Sequence, residues 1–241
     1  MSRIGWSTSS RRRTTIRRSG LSFATTSAGA TINEEDVVSV AYRIFYAVGF
    51  TPWEKWAEQP VTDQVAALFA SEEQGRERPF GRVLDLGCGS GIWAVTLAER
   101  GWEVTGVDYV AKALRNADDR ARRAGVEVRT VQGDVTKLRD TEVGDGFRFL
   151  VDFGLFHDEL SDEQRLAMGR EVTTIAAPGA TLLLLAWIPA RRGPLPRGAS
   201  RDDIEAAFPE WTITQEELMD QSRLPRYMKN GVPRFYSLQR N

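Results

Sequence analysis

The chain has 241 residues, with 32 basic and 33 acidic side chains, enough for one substantial core and an α/β domain of about 200 residues. One cysteine, Cys88, excludes an internal disulfide and fits a reducing, cytoplasmic compartment; with His157 as the only histidine, the usual zinc ligand sets are excluded too. No apolar run approaches the roughly 18 residues of a membrane span, and the net charge of −1 conceals a basic head on an acidic body.

Residues 1–33 hold six arginines (Arg3, Arg11, Arg12, Arg13, Arg17, Arg18) and no acid, which leaves 26 basic against 33 acidic residues, net −7, in the remainder. An acidic body offers no electrostatic footprint for nucleic acid. Residues 1–32 read as a disordered Arg/Ser/Thr-rich extension. Their composition also resembles a transit peptide, whereas Leu21–Thr26 is too polar for the apolar segment of a twin-arginine signal. Asn33 followed by Glu34, Glu35 and Asp36 is a helix start, a capping side chain with acids in the first turn. A helix is expected over 37–48, ending at Gly49, and a second over 62–70, so that residues 33–79 form a helical cover.

From residue 80 the pattern alternates. Strands are expected at 82–86, 103–108, 126–132, 147–153 and 180–187, and helices at 92–100, 110–124, 162–176 and near 202–208. Short apolar runs separated by amphipathic helices imply a parallel sheet with helices on both faces. Pro178-Gly179 is a turn, and two last strands, at about 211–218 and 233–239, lack an intervening helix and suggest an antiparallel hairpin.

The first strand, Val83-Leu-Asp-Leu, runs into Gly87-Cys-Gly-Ser-Gly91 and then into a helix. Glycines there permit positive φ and a close approach of ligand to main chain. Asp85 stands two residues before the first glycine, where a carboxylate repels a pyrophosphate and attracts an ammonium or sulfonium. Asp108 ends the second strand, 21 residues after Gly87, a place suited to accepting bonds from ribose hydroxyls. A dinucleotide fingerprint needs G-x-G-x-x-G, but position 92 is Ile. Asp134, after Gly133 and before Val135, closes the third strand and is suited to an adenine amino group. Three carboxylates at strand C-termini, the ligand-binding edge of open α/β sheets, suit a ligand with an ammonium, a diol and an amino-purine. Each also has a plainer reading as the cap of a turn or helix. Cys88 lies between glycines and reads as a small filler, not a nucleophile.

This arrangement resembles the class I S-adenosylmethionine-dependent methyltransferases, over about residues 80–240. The resemblance implies a Rossmann-like, doubly wound α/β fold with a seven-stranded sheet, mostly parallel with an antiparallel C-terminal strand. It makes residues 80–241 the methyltransferase domain and S-adenosyl-L-methionine the cofactor. Carried over, it gives a cofactor set of Asp85, Gly87, Cys88, Gly89, Asp108, Tyr109, Gly133, Asp134, Val135 and Asp152. The segment Tyr42-Arg-Ile-Phe-Tyr46-Ala-Val-Gly49-Phe-Thr-Pro-Trp53 is similar to the cover preceding the sheet in small-molecule thiol, halide and thiopurine methyltransferases. That similarity adds Trp53, Tyr46 and Tyr42 to the cofactor site. Where those relatives carry tryptophans this chain has tyrosines, and Glu54 replaces the aspartate that follows Pro-Trp.

His157 leaves the fourth strand at the ligand-facing edge and is the candidate general base, with Asp158 or Asp152 to orient it. The Asn/Asp-Pro-Pro-Tyr/Phe motif of amino-group nucleic-acid and protein enzymes is absent, Asp152-Phe-Gly-Leu standing in its place. The loop Pro189–Gly198 carries three arginines at the same edge, as a pocket closure, an anion contact or a solvated connector. The expected partner is a small apolar or aromatic methyl acceptor with an S, N or O nucleophile, with no nucleic acid or membrane, in a monomer or homodimer. A nicotinamide-dependent oxidoreductase and a cofactor-binding module without catalysis are the alternatives.

Overall fold

The computed structural model describes residues 34–51, 54, 63–158, 160–189, 198–220 and 232–241. The expectations for residues 1–32, Asn33, Trp53 and the body of the arginine loop therefore lie outside the described residues. Helix α1 spans Glu34–Val48 and α2 spans Asp63–Glu73. The sheet region then runs β1 (Arg82–Leu86), α3 (Ile92–Arg100), β2 (Glu103–Asp108), α4 (Ala111–Ala124) and β3 (Val128–Gln132). A 3₁₀ helix (Val135–Asp140) follows, then β4 (Phe147–Asp152), α5 (Leu155–Asp158), α6 (Asp162–Ile175) and β5 (Ala176–Trp187). The chain closes with α7 (Arg201–Ala207), β6 (Trp211–Leu218) and β7 (Pro233–Arg240). No helix among the described residues is long and apolar enough to cross a membrane.

The seven strands form one sheet in the order β3-β2-β1-β4-β5-β7-β6. β1 to β5 pair in parallel, and β7 inserts antiparallel between β5 and β6. This is the doubly wound arrangement that the alternating pattern implied. The order reverses beside β1, so the crevice at the carboxyl ends of β1, β2 and β4 is the topological switch point.

Alternation along the strands supplies both faces. Val83 packs with Phe69, Ala94, Leu97 and Phe149 on one side, whereas Leu84 and Leu86 pack with Phe156, Met168, Val172 and Phe208 on the other. Each helix stop has its local cause. α3 and α4 end at Gly101 and Gly125, both in the left-handed region and both donating back to the last turn. Serines 161 and 200 open α6 and α7 with capping boxes.

Two elements were not expected, the 3₁₀ helix and the single turn α5. Both are too short to show a helical period. The expected strand at 126–132 begins at Val128, because the cap on Gly125 occupies the residues before it. β5 starts four residues earlier than expected: Ala176 pairs with Phe147, and the Pro178-Gly179 turn is absorbed as an irregularity before Thr181 pairs with Phe149.

Candidate functional site

β1 delivers the glycine loop to the switch point. Gly87, Gly89 and Gly91 all have positive φ (66°, 53° and 76°), a conformation costly for any residue with a Cβ. Space favours glycine at all three as well. A Cβ on Gly91 would sit 2.7 Å from Ala117 Cβ, where α3 crosses α4, and one on Gly87 would sit 2.6 Å from Leu155 Cδ1. Cys88 is buried with its Sγ packed over Gly106, where a Cβ would meet it at 2.8 Å, and burial pushes its thiol pKa well up. The filler reading of this thiol therefore agrees with its surroundings.

Asp108 clasps the loop. Its Oδ2 accepts from the Gly89 amide at 3.0 Å and its Oδ1 from the Val110 amide at 2.8 Å. Burial raises it to about 6, against the pull of the two amides. Each oxygen keeps a lone pair for a further donor. At the end of β3, the Gly133 amide donates to the Asp108 carbonyl, and Gly133 has no room for a Cβ beside Thr141. Asp134 is exposed and caps the 3₁₀ helix through Thr136. The capping reading weighed for this residue is thus realised, and its other oxygen is unengaged among the described residues.

Asp85 is different. It is 2 % exposed, pairs in register with Val151 and Gly106, and its Oδ2 has no hydrogen-bond partner among the described residues. Burial and then the neighbouring Asp152 and Asp108 push its pKa well above the usual carboxylate range, while the Ala94 amide draws it down. A buried carboxylate oxygen without a donor is costly in an ordinary core. At the ligand edge of the sheet that oxygen keeps its full capacity to accept a donor.

Helix α1 covers this loop. Tyr46 is buried with Val110 and Ala113, and its hydroxyl donates to Glu54 at 2.8 Å. The same Glu54 oxygen accepts from the Ser90 amide at 3.1 Å. A Cβ on Gly89 would lie 2.6 Å from the Tyr46 hydroxyl. One turn earlier, Tyr42 donates to Asp158. Tyr109 packs against the same small cluster, with the Arg43 guanidinium over its ring.

The segment after β4 departs from one expectation. Asp152 is fully buried, and its Oδ1 accepts from the Gly154 and Leu155 amides while Oδ2 accepts from Phe156. It caps α5, and burial raises it to about 7. Neither it nor Asp158 orients His157. That ring is fixed by Nδ1–H donating to the Leu185 carbonyl at 3.0 Å, and burial lowers its pKa to about 3. The expected carboxylate partner is replaced because α5 turns the ring towards β5 and the two acids elsewhere. Sequence reasoning did not find Leu155 as the packing partner of Gly87, nor the Tyr42–Asp158 bond. The only signal was the spacing of Leu155 and Asp158, three apart on one helical turn.

These ionisations bear on stability. Asp85, Asp108 and Asp152 hold a proton more tightly folded than unfolded, so stability falls as pH rises towards and through their raised values. His157 acts oppositely, and its contribution is lost as pH falls from about 6.5 towards about 3. Between about pH 6.5 and 8 the unfolded histidine loses its remaining charge and the carboxylates dominate. Thermal melts of the ligand-free protein should therefore show Tm falling across that interval, and a rising Tm would contradict the burial of these acids.

Residues 83–179 match the family model described as a methyltransferase domain. Among curated proteins, the chain is 33% identical over 129 residues to a ribosomal RNA small subunit methyltransferase C of Alcanivorax borkumensis, covering 52% of this chain and 38% of that protein. It is also 33% identical over 137 residues to a 2-heptyl-1-hydroxyquinolin-4(1H)-one methyltransferase of Mycobacteroides abscessus, covering 56% of each. The chain thus spans about half or less of the length of these relatives. One similar solved structure comes from work on the conversion of a disulfide bond into a thioacetal group during echinomycin biosynthesis, with TM-score 0.63, 26% identity and coverage of 84% and 92%. The magnesium protoporphyrin IX methyltransferase of Synechocystis with bound S-adenosylmethionine shares the fold, with TM-score 0.66, 17% identity and coverage of 90% and 100%. The segment 83–179 thus matches a methyltransferase domain, and the fold is that of a methyltransferase solved with S-adenosylmethionine bound.

Proposed function

We propose that the protein is an S-adenosylmethionine-dependent methyltransferase acting on a small, apolar or aromatic molecule through an S, N or O nucleophile. The observation that carries this reading is the orphaned, buried Asp85 oxygen beside a glycine loop clasped by Asp108. In it, Asp85 takes the ammonium of the cofactor, directly or through water, and Asp108 takes the ribose hydroxyls. Gly87, Cys88 and Gly89 give the methionine part its main-chain floor. Tyr109, Gly133, Asp134 and Val135 frame the adenine, while Tyr42 and Tyr46 close over it. Asp152 supports this floor by capping α5.

When bound, the cofactor supplies an electrophilic methyl group on a sulfonium. The chain's part is to align the acceptor and exclude water. The acceptor class is supported by the half-buried aromatics Trp93 and Phe153, which follow the glycine loop and β4. Trp93 and Phe153 stack at 4.4 Å between centroids, and Phe69 and Phe235 meet Phe153 edge-on. The quinolinone named for one relative belongs to the same class of acceptor. The ribosomal RNA named for the other fits poorly with a body of net charge −7 outside residues 1–33. His157 is a weak base in its buried setting and serves to hold α5 against β5 rather than to take a proton.

Calorimetry with S-adenosylhomocysteine and with NADH tests the reading, followed by transfer of labelled methyl to a panel of thiols, phenols and heterocyclic amines. Saturable heat with the first and none with the second is expected, with label on at least one acceptor. Saturation by NADH alone would overturn it.

A further inference from the structure

A closed circuit of contacts surrounds the crevice. Gly87 lies against Leu155, and Leu155 and Asp158 are three residues apart on the single turn α5. Asp158 accepts from the Tyr42 hydroxyl, Tyr42 and Tyr46 are one turn apart on α1, and Tyr46 lies over Gly89. Residues three or four apart share a helix face, so these side chains follow one another around the glycine loop. Carboxylates reach this edge from β1, β2, β4 and α5, with Asp108 of β2 assigned to the ribose, and Glu54 accepts from Tyr46 and Ser90 beside the loop. Asp85 has the orphan oxygen already assigned to the ammonium, and Asp152 has both oxygens on the amides of α5. Asp158 is not assigned to the cofactor and has spare acceptor capacity, since Tyr42 is its one polar partner among the described residues.

Resting on the methyltransferase reading, we propose that Asp158, positioned by Tyr42, takes the proton of a hydroxyl acceptor. The acceptor's O–H proton passes to an Asp158 oxygen. The freed oxygen lone pair forms the bond to the methyl carbon as the carbon–sulfur bond breaks, and its electrons neutralise the sulfonium. The products are a methyl ether, a thioether and a protonated Asp158, which releases its proton to solvent. The charged and titratable groups around Asp158 do not compete for this role. Tyr42 on α1 donates to it, His157 on its own turn faces Leu185, and Arg165 on α6 is spent on the Phe156 and Gly198 carbonyls and Asp162. Burial lifts Asp158 above the ordinary carboxylate value, which brings it closer to the pKa of a useful base, and the Tyr42 bond restrains that rise.

The test follows label transfer from methyl-labelled S-adenosylmethionine to 2-naphthol and 1-hydroxyquinolin-4(1H)-one as hydroxyl probes, with benzenethiol, ionised at mildly alkaline pH, as a probe needing no base. Wild type should methylate a hydroxyl probe. Asp158→Asn should lower kcat on it by about 100-fold or more, leave benzenethiol methylation and S-adenosylhomocysteine affinity within about twofold, and erase the acid limb of the pH profile. Tyr42→Phe should keep that limb and move it to higher pH, because the lost bond favoured the ionised carboxylate. An unchanged limb in Asp158→Asn overturns the inference. So does equal loss on both probe types, loss of S-adenosylhomocysteine binding in that variant, or a wild type that binds S-adenosylhomocysteine but methylates no hydroxyl probe. A wild type that binds no S-adenosylhomocysteine overturns the methyltransferase reading itself, and this inference with it.

Discussion

Asp85→Asn is expected to weaken S-adenosylhomocysteine binding by about 10- to 100-fold, the loss typical of a hydrogen bond to a charged group, while the ligand-free protein becomes more stable. The two effects share one cause. Asp85 is 2 % exposed, lacks a partner at Oδ2 among the described residues and stands near two other buried acids. An amide of the same shape removes the burial penalty of the charge and the repulsion from Asp152, so the empty fold gains. The same amide offers no charge to an ammonium, so the bound state loses. Calorimetry and thermal melts on one preparation check both signs. The variant should also lessen the decline of Tm above about pH 6.5, since one of its three sources is removed. Lower stability together with unchanged affinity would show that the carboxylate serves the core and not the cofactor.

Gly169→Ala is expected to destabilise the protein by about 2–3 kcal/mol without altering cofactor affinity in the molecules that remain folded. Gly169 lies on the buried face of α6, where an ideal Cβ would fall 1.8 Å from the Ala207 carbonyl oxygen and 2.7 Å from its carbon. Those are backbone atoms of α7, so no side-chain rotation relieves the overlap and the two helices must separate. Alanine in a helix interior gains about 1 kcal/mol over glycine, which offsets only part of the overpacking cost. Separation also disturbs the Thr173 hydroxyl, which donates to the Gly169 carbonyl and receives the Trp211 indole at 2.8 Å. For a chain of this size Tm should fall by roughly 4–12 °C, and urea melts should shift in midpoint with m unchanged. A loss under about 0.5 kcal/mol would mean that α7 yields freely at this contact.

Most of the sheet region was readable in the order of residues because its signals are local. The alternation of Val83-Leu-Asp-Leu and the glycines after it place β1 and its turn, and the register of β1 against β2 and β4 follows from burial on both faces. The capping serines of α6 and α7 and the stops at Gly101 and Gly125 have causes within a few residues. α5 was missed because four residues carry no period; its cap, Asp152, is visible only once the chain turns back on β4.

The sequence by itself determined the doubly wound fold, the glycine loop and the acids at the strand ends, because strand period, turn chemistry and side-chain charge are properties of neighbours in the chain. Which acid is orphaned, which is capped and which meets Tyr42 was decided only by tertiary structure. Tyr42 and Asp158 stand 116 residues apart, and the Leu185 carbonyl that fixes His157 lies 28 residues beyond it. Burial and hydrogen-bond partners, which set the charge state of every one of these groups, come into being only when the strands are side by side.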